Sequence, residues 1–188
     1  MRKIAGCLLV FLIFVAQAEI RAAQPEIDDK ARRAERLYSA GYLMTELGRY
    51  QEAIQLYTRS LEIQPTAEAY TYLGWTYGNM GDYRRAIEET EKAIGIDPDF
   101  GNPYNDIGVY LIEQGKEDEA IPYLEKAQRA KRYCCYQFPH FNMGRVYLKK
   151  KMYEKAREEF KKALAIDPDY VPAREALELL KKLGMKET

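Results

Sequence analysis

At 188 residues, with Lys plus Arg balanced against Asp plus Glu at 29 each, the chain is sized for one compact domain or a short solenoid. A zero formal charge excludes the basic excess of a nucleic-acid binder. Twelve glycines and 8 prolines are too few for a disordered or loop-rich chain, and the content of Ala, Leu, Glu, Lys and Arg favours helix.

Residues 1–18 read as an export signal. Arg2 and Lys3 precede the apolar run Ile4 to Val15, and Ala16-Gln17-Ala18 supplies a small-x-small cleavage pattern. The run is short for a spanning helix, which needs about 20 residues. Cleavage after Ala18 is therefore expected, leaving Glu19 first and 27 basic against 29 acidic residues. The alternative is an uncleaved membrane anchor. Ile4-Ala5-Gly6-Cys7 spells a lipoprotein box, but it precedes the apolar run instead of following it, so lipidation is not expected. In a Gram-negative bacterium the exported chain would be periplasmic. Residues 19–33 are polar and charged and read as a leader or a frayed extra helix.

From residue 34 onward the chain repeats. Gly41, Gly74, Gly108 and Gly144 recur at steps of 33, 34 and 36 residues, each followed by Ala53, Ala86, Ala120 or Ala156 twelve positions later. Such a period means stacked units that cannot bury their apolar faces alone. Each unit divides into two segments of helical periodicity. In the second, Tyr70, Leu73, Gly74 and Tyr77 mark one face of a first helix. Tyr83, Ala86, Ile87, Thr90, Ala93 and Ile94 mark the second helix, which Pro98 stops. Gly41 is expected to face Ala53 across its hairpin, and likewise along the chain, because helices approach closely only where side chains are small. The alanines further on (Ala93, Ala127 and Ala163, with Ser60 in the first unit) are expected to do the same between units.

These glycine, alanine and proline positions resemble the tetratricopeptide repeat family, an all-α, right-handed solenoid of helix-turn-helix units. The units fall at 34–66, 67–100, 101–136 and 137–170, with a capping helix over 171–184. The third unit departs from the pattern, carrying two extra residues and Arg132-Tyr133-Cys134-Cys135 in place of the closing proline.

Little in the chain points to catalysis. His140 is the single histidine and falls where the family places a packing residue; no second one can build a metal site, and no nucleophile motif or phosphate loop is present. Glu88-Glu89, Asp118-Glu119 and Glu158-Glu159 read as solvated, ion-paired helix faces. No enzyme activity and no cofactor are expected. Cys134 and Cys135 read as two small residues in a loop or as a redox-active or intermolecular pair, since a bridge between neighbours is strained.

In the resembled family, a concave groove is lined by fixed positions of each first helix. Here they are Tyr38, Tyr42 and Thr45; Thr71, Trp75 and Asn79; Asn105, Val109 and Ile112; and Phe141, Arg145 and Lys149. Some members clamp a chaperone's terminal carboxylate with Lys, Asn and Arg. Tyr38, Tyr42, Asn102 and Asp106 stand at those positions here, which argues against that ligand. Charge is segregated: 16 acidic and 7 basic residues lie between 46 and 128, against 3 acidic and 11 basic between 129 and 162. Such a dipole either steers an acidic segment or membrane surface toward the C-terminal end or is a solvated face. The expected function is an exported scaffold holding an extended peptide or helix of a protein partner. Nucleic acid is excluded, and a membrane enters only if residues 1–18 are retained. The alternative is a self-associating homo-oligomer formed by helix packing or Cys134 and Cys135.

Overall fold

The computed structural model describes residues 28–182 and Gly184, so the export signal, Cys7 and most of the leader lie outside the described residues. Helix α1 covers 28–46 and is followed by α2 (Tyr50–Ile63), α3 (Ala67–Asn79), α4 (Tyr83–Ile96) and α5 (Gly101–Glu113). Then come α6 (Glu117–Arg129), α7 (Gln137–Lys149), α8 (Tyr153–Ile166) and α9 (Val171–Lys182). No strand is present among the described residues. The result is the all-α solenoid that the period predicted. Residues 28–33 of the leader are helical and continuous with the first unit.

Each first helix packs on its own second helix, and second helices pack on the next first helix. First helices also touch along the stack, α3 with α5 and α5 with α7, whereas no pair of second helices meets to a comparable extent. That asymmetry curves the solenoid and puts the first helices on its inner side.

The glycines admit large partners, not the alanines expected of them. A Cβ at Gly41 would stand 2.8 Å from the Tyr57 ring and one at Gly108 2.5 Å from Leu124, while one at Gly144 would run into the Phe160 ring. Only Gly74 meets the alanine turn itself, with the Ala86 carbonyl at 2.9 Å and Thr90 Oγ1 closer still. The missing side chain makes room for a residue one helical turn beyond the alanine. Ala53, Ala86, Ala120 and Ala156, with Ala93, Ala127 and Ala163, are fully buried. Ser60 is buried too, its hydroxyl donating to the Ala34 carbonyl at 2.7 Å.

Turns within the hairpins use left-handed backbone at Gly48, Gly81 and Gly115 (φ 71°, 78° and 74°). In the fourth unit Lys151 holds that conformation at φ 58°, without the freedom glycine has there. Asp97 and Asp167 each close their turn by accepting from the amide two residues on, at 2.9 and 3.1 Å.

The irregular junction after unit three is a strap. Residues 130–136 leave α6 and fold back over the previous junction. Arg132 N donates to the Asp99 carbonyl at 2.9 Å, and Gly101 N donates to the Arg132 carbonyl at 3.0 Å. The Arg132 guanidinium lies 3.8 Å from the Phe100 ring centre and bonds Asp97 (2.7 Å) and Glu68 (2.6 Å), both in the preceding unit. Tyr133 fills the space beside Gly101, and Tyr136 Oη donates to the Ala130 carbonyl at 2.6 Å.

Candidate binding groove

At the N-terminal end of the inner face, α1 and α3 build a shelf of rings. Tyr42, 42% exposed, stacks on Trp75 at 5.9 Å between centroids and meets Tyr72 edge-on at 5.2 Å. Tyr38 stacks on Tyr72 from the other side at 6.1 Å, and Tyr72 meets Trp75 at 6.4 Å. Tyr57 of α2 backs Tyr72 at 6.4 Å and anchors a buried cluster in which Thr45 and Thr76 share a 2.8 Å hydrogen bond. Burial pushes the Tyr57 hydroxyl up to about 12, so it stays protonated. Asn79 is exposed beyond the shelf.

Further along, the floor turns polar. Arg145 Nη1 donates to Asn142 Oδ1 at 3.2 Å, and Asn142 Nδ2 donates to Asn105 Oδ1 at 3.0 Å. Asn105 Nδ2 in turn makes a long 3.4 Å contact with Asp106 Oδ1. The rail therefore ends on a carboxylate. Burial pushes the Asp106 carboxyl up to about 7, the Asn105 amide acting the other way. Burial, Tyr38, Tyr42 and the nearby Asp106 and Glu68 charges raise the Tyr72 hydroxyl above its ordinary value.

The expected groove residues divide accordingly. Tyr38, Tyr42, Trp75 and Asn79 lie together on the accessible surface, and Val109 is half-buried between the two ends. Thr71 is buried, with its hydroxyl donating to the Ala67 carbonyl at 2.7 Å, and Asn105 is buried in the rail. Both form the floor beneath the surface. Phe141 is half-buried, packed on Phe160 (5.6 Å) and Tyr170 (5.3 Å). The cations expected to attract an acidic segment are engaged inside the chain. Arg145 Nη2 holds Glu113 at 2.6 Å; Lys149 bonds the Ile112 carbonyl at 2.8 Å and Glu117 at 3.2 Å.

This pairing explains the segregated charge. Lys131 with Asp99, Arg132 with Glu68, Arg145 with Glu113, Lys149 with Glu117 and Lys150 with Asp118 all join the basic stretch to the acidic one. Exposed pairs of this kind contribute about 0–1 kcal/mol each. Their sequence dipole closes on itself.

Glu159 is buried, not solvated, and takes His140 Nδ1 at 2.7 Å and Lys162 Nζ at 2.6 Å. Burial raises its carboxyl, but the His140 and Lys162 hydrogen bonds outweigh it and hold it below its ordinary value. His140 is half-buried between Glu159 and Gln128, in the packing position expected. Cys134 is exposed, Cys135 half-buried, and both are free thiols; burial and the Cys134 contact push the Cys135 thiol up to about 11.

Tyr72 and Asn142 escaped the sequence reading, and Asp106 entered it only as a mismatch to the carboxylate clamp. The three are one repeat apart, 34 and 36 residues, and sit beside the positions that the resemblance supplied. Recesses at the surface are open; one of about 250 Å³ lies beside Tyr38 between Ala34, Ser60 and Glu68. An open, ring-lined face suits an extended ligand over an enclosed small molecule.

Models of the tetratricopeptide repeat match residues 34–67, 67–100, 102–134 and 138–170. The chain is 28% identical over 174 residues to the type IV pilus assembly protein PilF of Pseudomonas aeruginosa, covering 83% of this chain and 68% of that one. It is 30% identical over 100 residues to the small glutamine-rich tetratricopeptide repeat-containing protein 2 of Mycosarcoma maydis. That match covers 53% of this chain and 28% of the other, so the chain spans less than a third of that relative. The crystal structure of TTC0263, a protein of Thermus thermophilus, superposes with a TM-score of 0.68 at 27% identity, covering 80% of this chain and 83% of that one.

Proposed function

Because the chain belongs to the tetratricopeptide repeat family, whose members serve as scaffolds for protein–protein interaction, we propose that it is a non-catalytic scaffold gripping an extended segment of a partner protein on its inner face. The observation that carries this reading is the shelf of Tyr38, Tyr42, Tyr72 and Trp75, four rings held in contact with Tyr42 substantially exposed. Aromatic side chains are the usual anchors of a protein interface, because they supply large contact area at low entropic cost. Here the rings are fixed by each other and by Tyr57 before any partner arrives, so little ordering opposes binding.

We place this scaffold outside the cytoplasm, with residues 1–18 as a cleaved signal. The similarity to a protein named for type IV pilus assembly supports that reading. Amino-terminal sequencing of exported protein should begin at Glu19; an intact Met1 would overturn cleavage.

The scaffold reading is tested by affinity capture from envelope extracts with wild type and a Trp75→Ala, Tyr42→Ala double variant. Partners recovered by wild type should be lost from the variant. Equal recovery of every partner would remove the groove from the function.

Self-association is the second reading. It is favoured by the apolar surface of α9, where Val171 and Leu179 are about half exposed (51% and 49%). Light scattering over a concentration series decides it, since a constant monomer mass would eliminate it.

A further inference from the structure

Asp106 is an anomaly on the inner face. It is half-buried and lies at the end of the rail. Its one hydrogen bond among the described residues is the long contact with Asn105, and no cation among the described residues forms an ion pair with it. The neighbouring cations are committed elsewhere: Arg145 to Glu113 and Asn142, Lys149 to Glu117 and the Ile112 carbonyl, Arg132 to Glu68 and Asp97. A carboxylate withdrawn from water without a partner is costly, and a cation brought to it relieves that cost.

The repeat register fixes what stands across from it. Tyr42 of α1 touches Tyr72 and Trp75 of α3, and Asn105 of α5 touches Asn142 of α7. Carrying the same offset from α3 to α5 sets Asp106 opposite Thr71 and Trp75. The electrostatic influence of Asp106 on Tyr72 agrees with that placement. The carboxylate thus closes one end of the aromatic shelf, and a ring face beside a carboxylate is a site for a cation with an apolar stem.

Resting on the groove reading above, we infer that Asp106 with Trp75 and Tyr72 forms a subsite for an arginine or lysine of the bound segment. The guanidinium or ammonium lies over the rings and donates to Asp106, while apolar neighbours in the segment cover Tyr38 and Tyr42. The partner is therefore a basic-aromatic peptide segment, not an acidic one.

Trp75 is the single tryptophan of the chain, so its fluorescence reports this subsite alone. The full chain is titrated with three synthetic peptides, Gly-Ser-Ala-Phe-Xaa-Phe-Ala-Ser-Gly, in which Xaa is Arg, Gln or Glu. The Arg peptide should bind about tenfold more tightly than the Gln peptide, and the Glu peptide more weakly still. In Asp106→Asn, which keeps the side-chain shape, the ratio of Arg-peptide to Gln-peptide affinity should fall to about one. Arg and Gln peptides binding equally to wild type would overturn the subsite while leaving the groove intact, and this comparison needs no variant. A preference that survives Asp106→Asn in a protein of unchanged helicity would also overturn it. If no peptide alters Trp75, the groove reading falls with the subsite.

Discussion

The two ends of the inner face share one backbone register and use it in opposite ways. Between α1 and α3 the facing positions hold rings that stack and carry no polar groups beyond the tyrosine hydroxyls and the Trp75 indole N–H. Between α5 and α7 the same positions hold Asn105, Asn142 and Arg145, which satisfy one another and Glu113. A partner at the second end must replace hydrogen bonds already made, so the net gain there is small. At the first end it covers apolar surface that water now wets. On the proposed scaffold reading, affinity resides where the chain is least self-satisfied, and the other end stiffens the stack.

The widest gap between the ends is expected in binding. Trp75→Ala together with Tyr72→Ala should weaken capture of the partner about 100-fold, as loss of paired aromatic anchors does. Arg145→Ala should change it by no more than about threefold, because that side chain is engaged within the chain. Titration calorimetry on both variants checks this, and equal losses would break the comparison.

Packing gives the next effect. Gly74→Ala drives a methyl into the Ala86 carbonyl and Thr90, backbone and a buried side chain that cannot step aside, and should cost about 1–3 kcal/mol in urea denaturation. Gly95 in α4 meets nothing within 4 Å, so Gly95→Ala should stabilise by about 0.5–1 kcal/mol instead. A stabilising Gly74→Ala would mean that the hairpin is looser than described.

Asp106 supplies a pH-dependent test of where the ends meet. Its folded carboxyl titrates at about 7, above the ordinary 3.8. The native state therefore binds this proton more tightly than the unfolded chain does. The associated stability is complete below about pH 4 and is lost as pH rises through about 7. Asp106→Asn, which does not titrate, should exceed wild type by about 1–2 kcal/mol at pH 8 and match it at pH 4, read from denaturation curves at both values. A constant difference between the two would remove the unpaired charge from the floor.

The smallest effect belongs to the fourth unit. Lys151→Gly relieves a left-handed side-chain-bearing residue and should add about 1 kcal/mol to thermal or urea stability.

Much of this was legible in the sequence. The glycine period implied the helix pairs, and the family resemblance supplied Tyr42 and Trp75, whose rings stack. What it missed was pairwise. That Tyr57, Leu124 and Phe160 fill the space at the glycines depends on how a long side chain leans over the preceding turn, not on spacing. The segregated charge was visible as a pattern, but Lys149 finding Glu117 and Arg132 finding Glu68 depend on curvature that brings neighbouring units within side-chain reach. Glu159 looked like one more surface carboxylate because its partners His140 and Gln128 come from different helices.

The strap around Arg132 changes how the array holds together. In a linear stack each unit feels only its nearest neighbours, and cooperativity decays along the chain. Arg132, leaving unit three, grips Asp97 and reaches Glu68 in unit two, bridging a junction that it does not itself belong to. That adds a coupling across a boundary where a simple repeat has only face-to-face contact. Units two and three, with the start of unit four tied to the same loop, then tend to open as one block, to which unit one is joined by stacked rings and the Thr45–Thr76 hydrogen bond. The aromatic shelf straddles that join, with Tyr38 and Tyr42 on unit one and Tyr72 and Trp75 on the strapped block. A segment bound across it would add a further tie between unit one and that block.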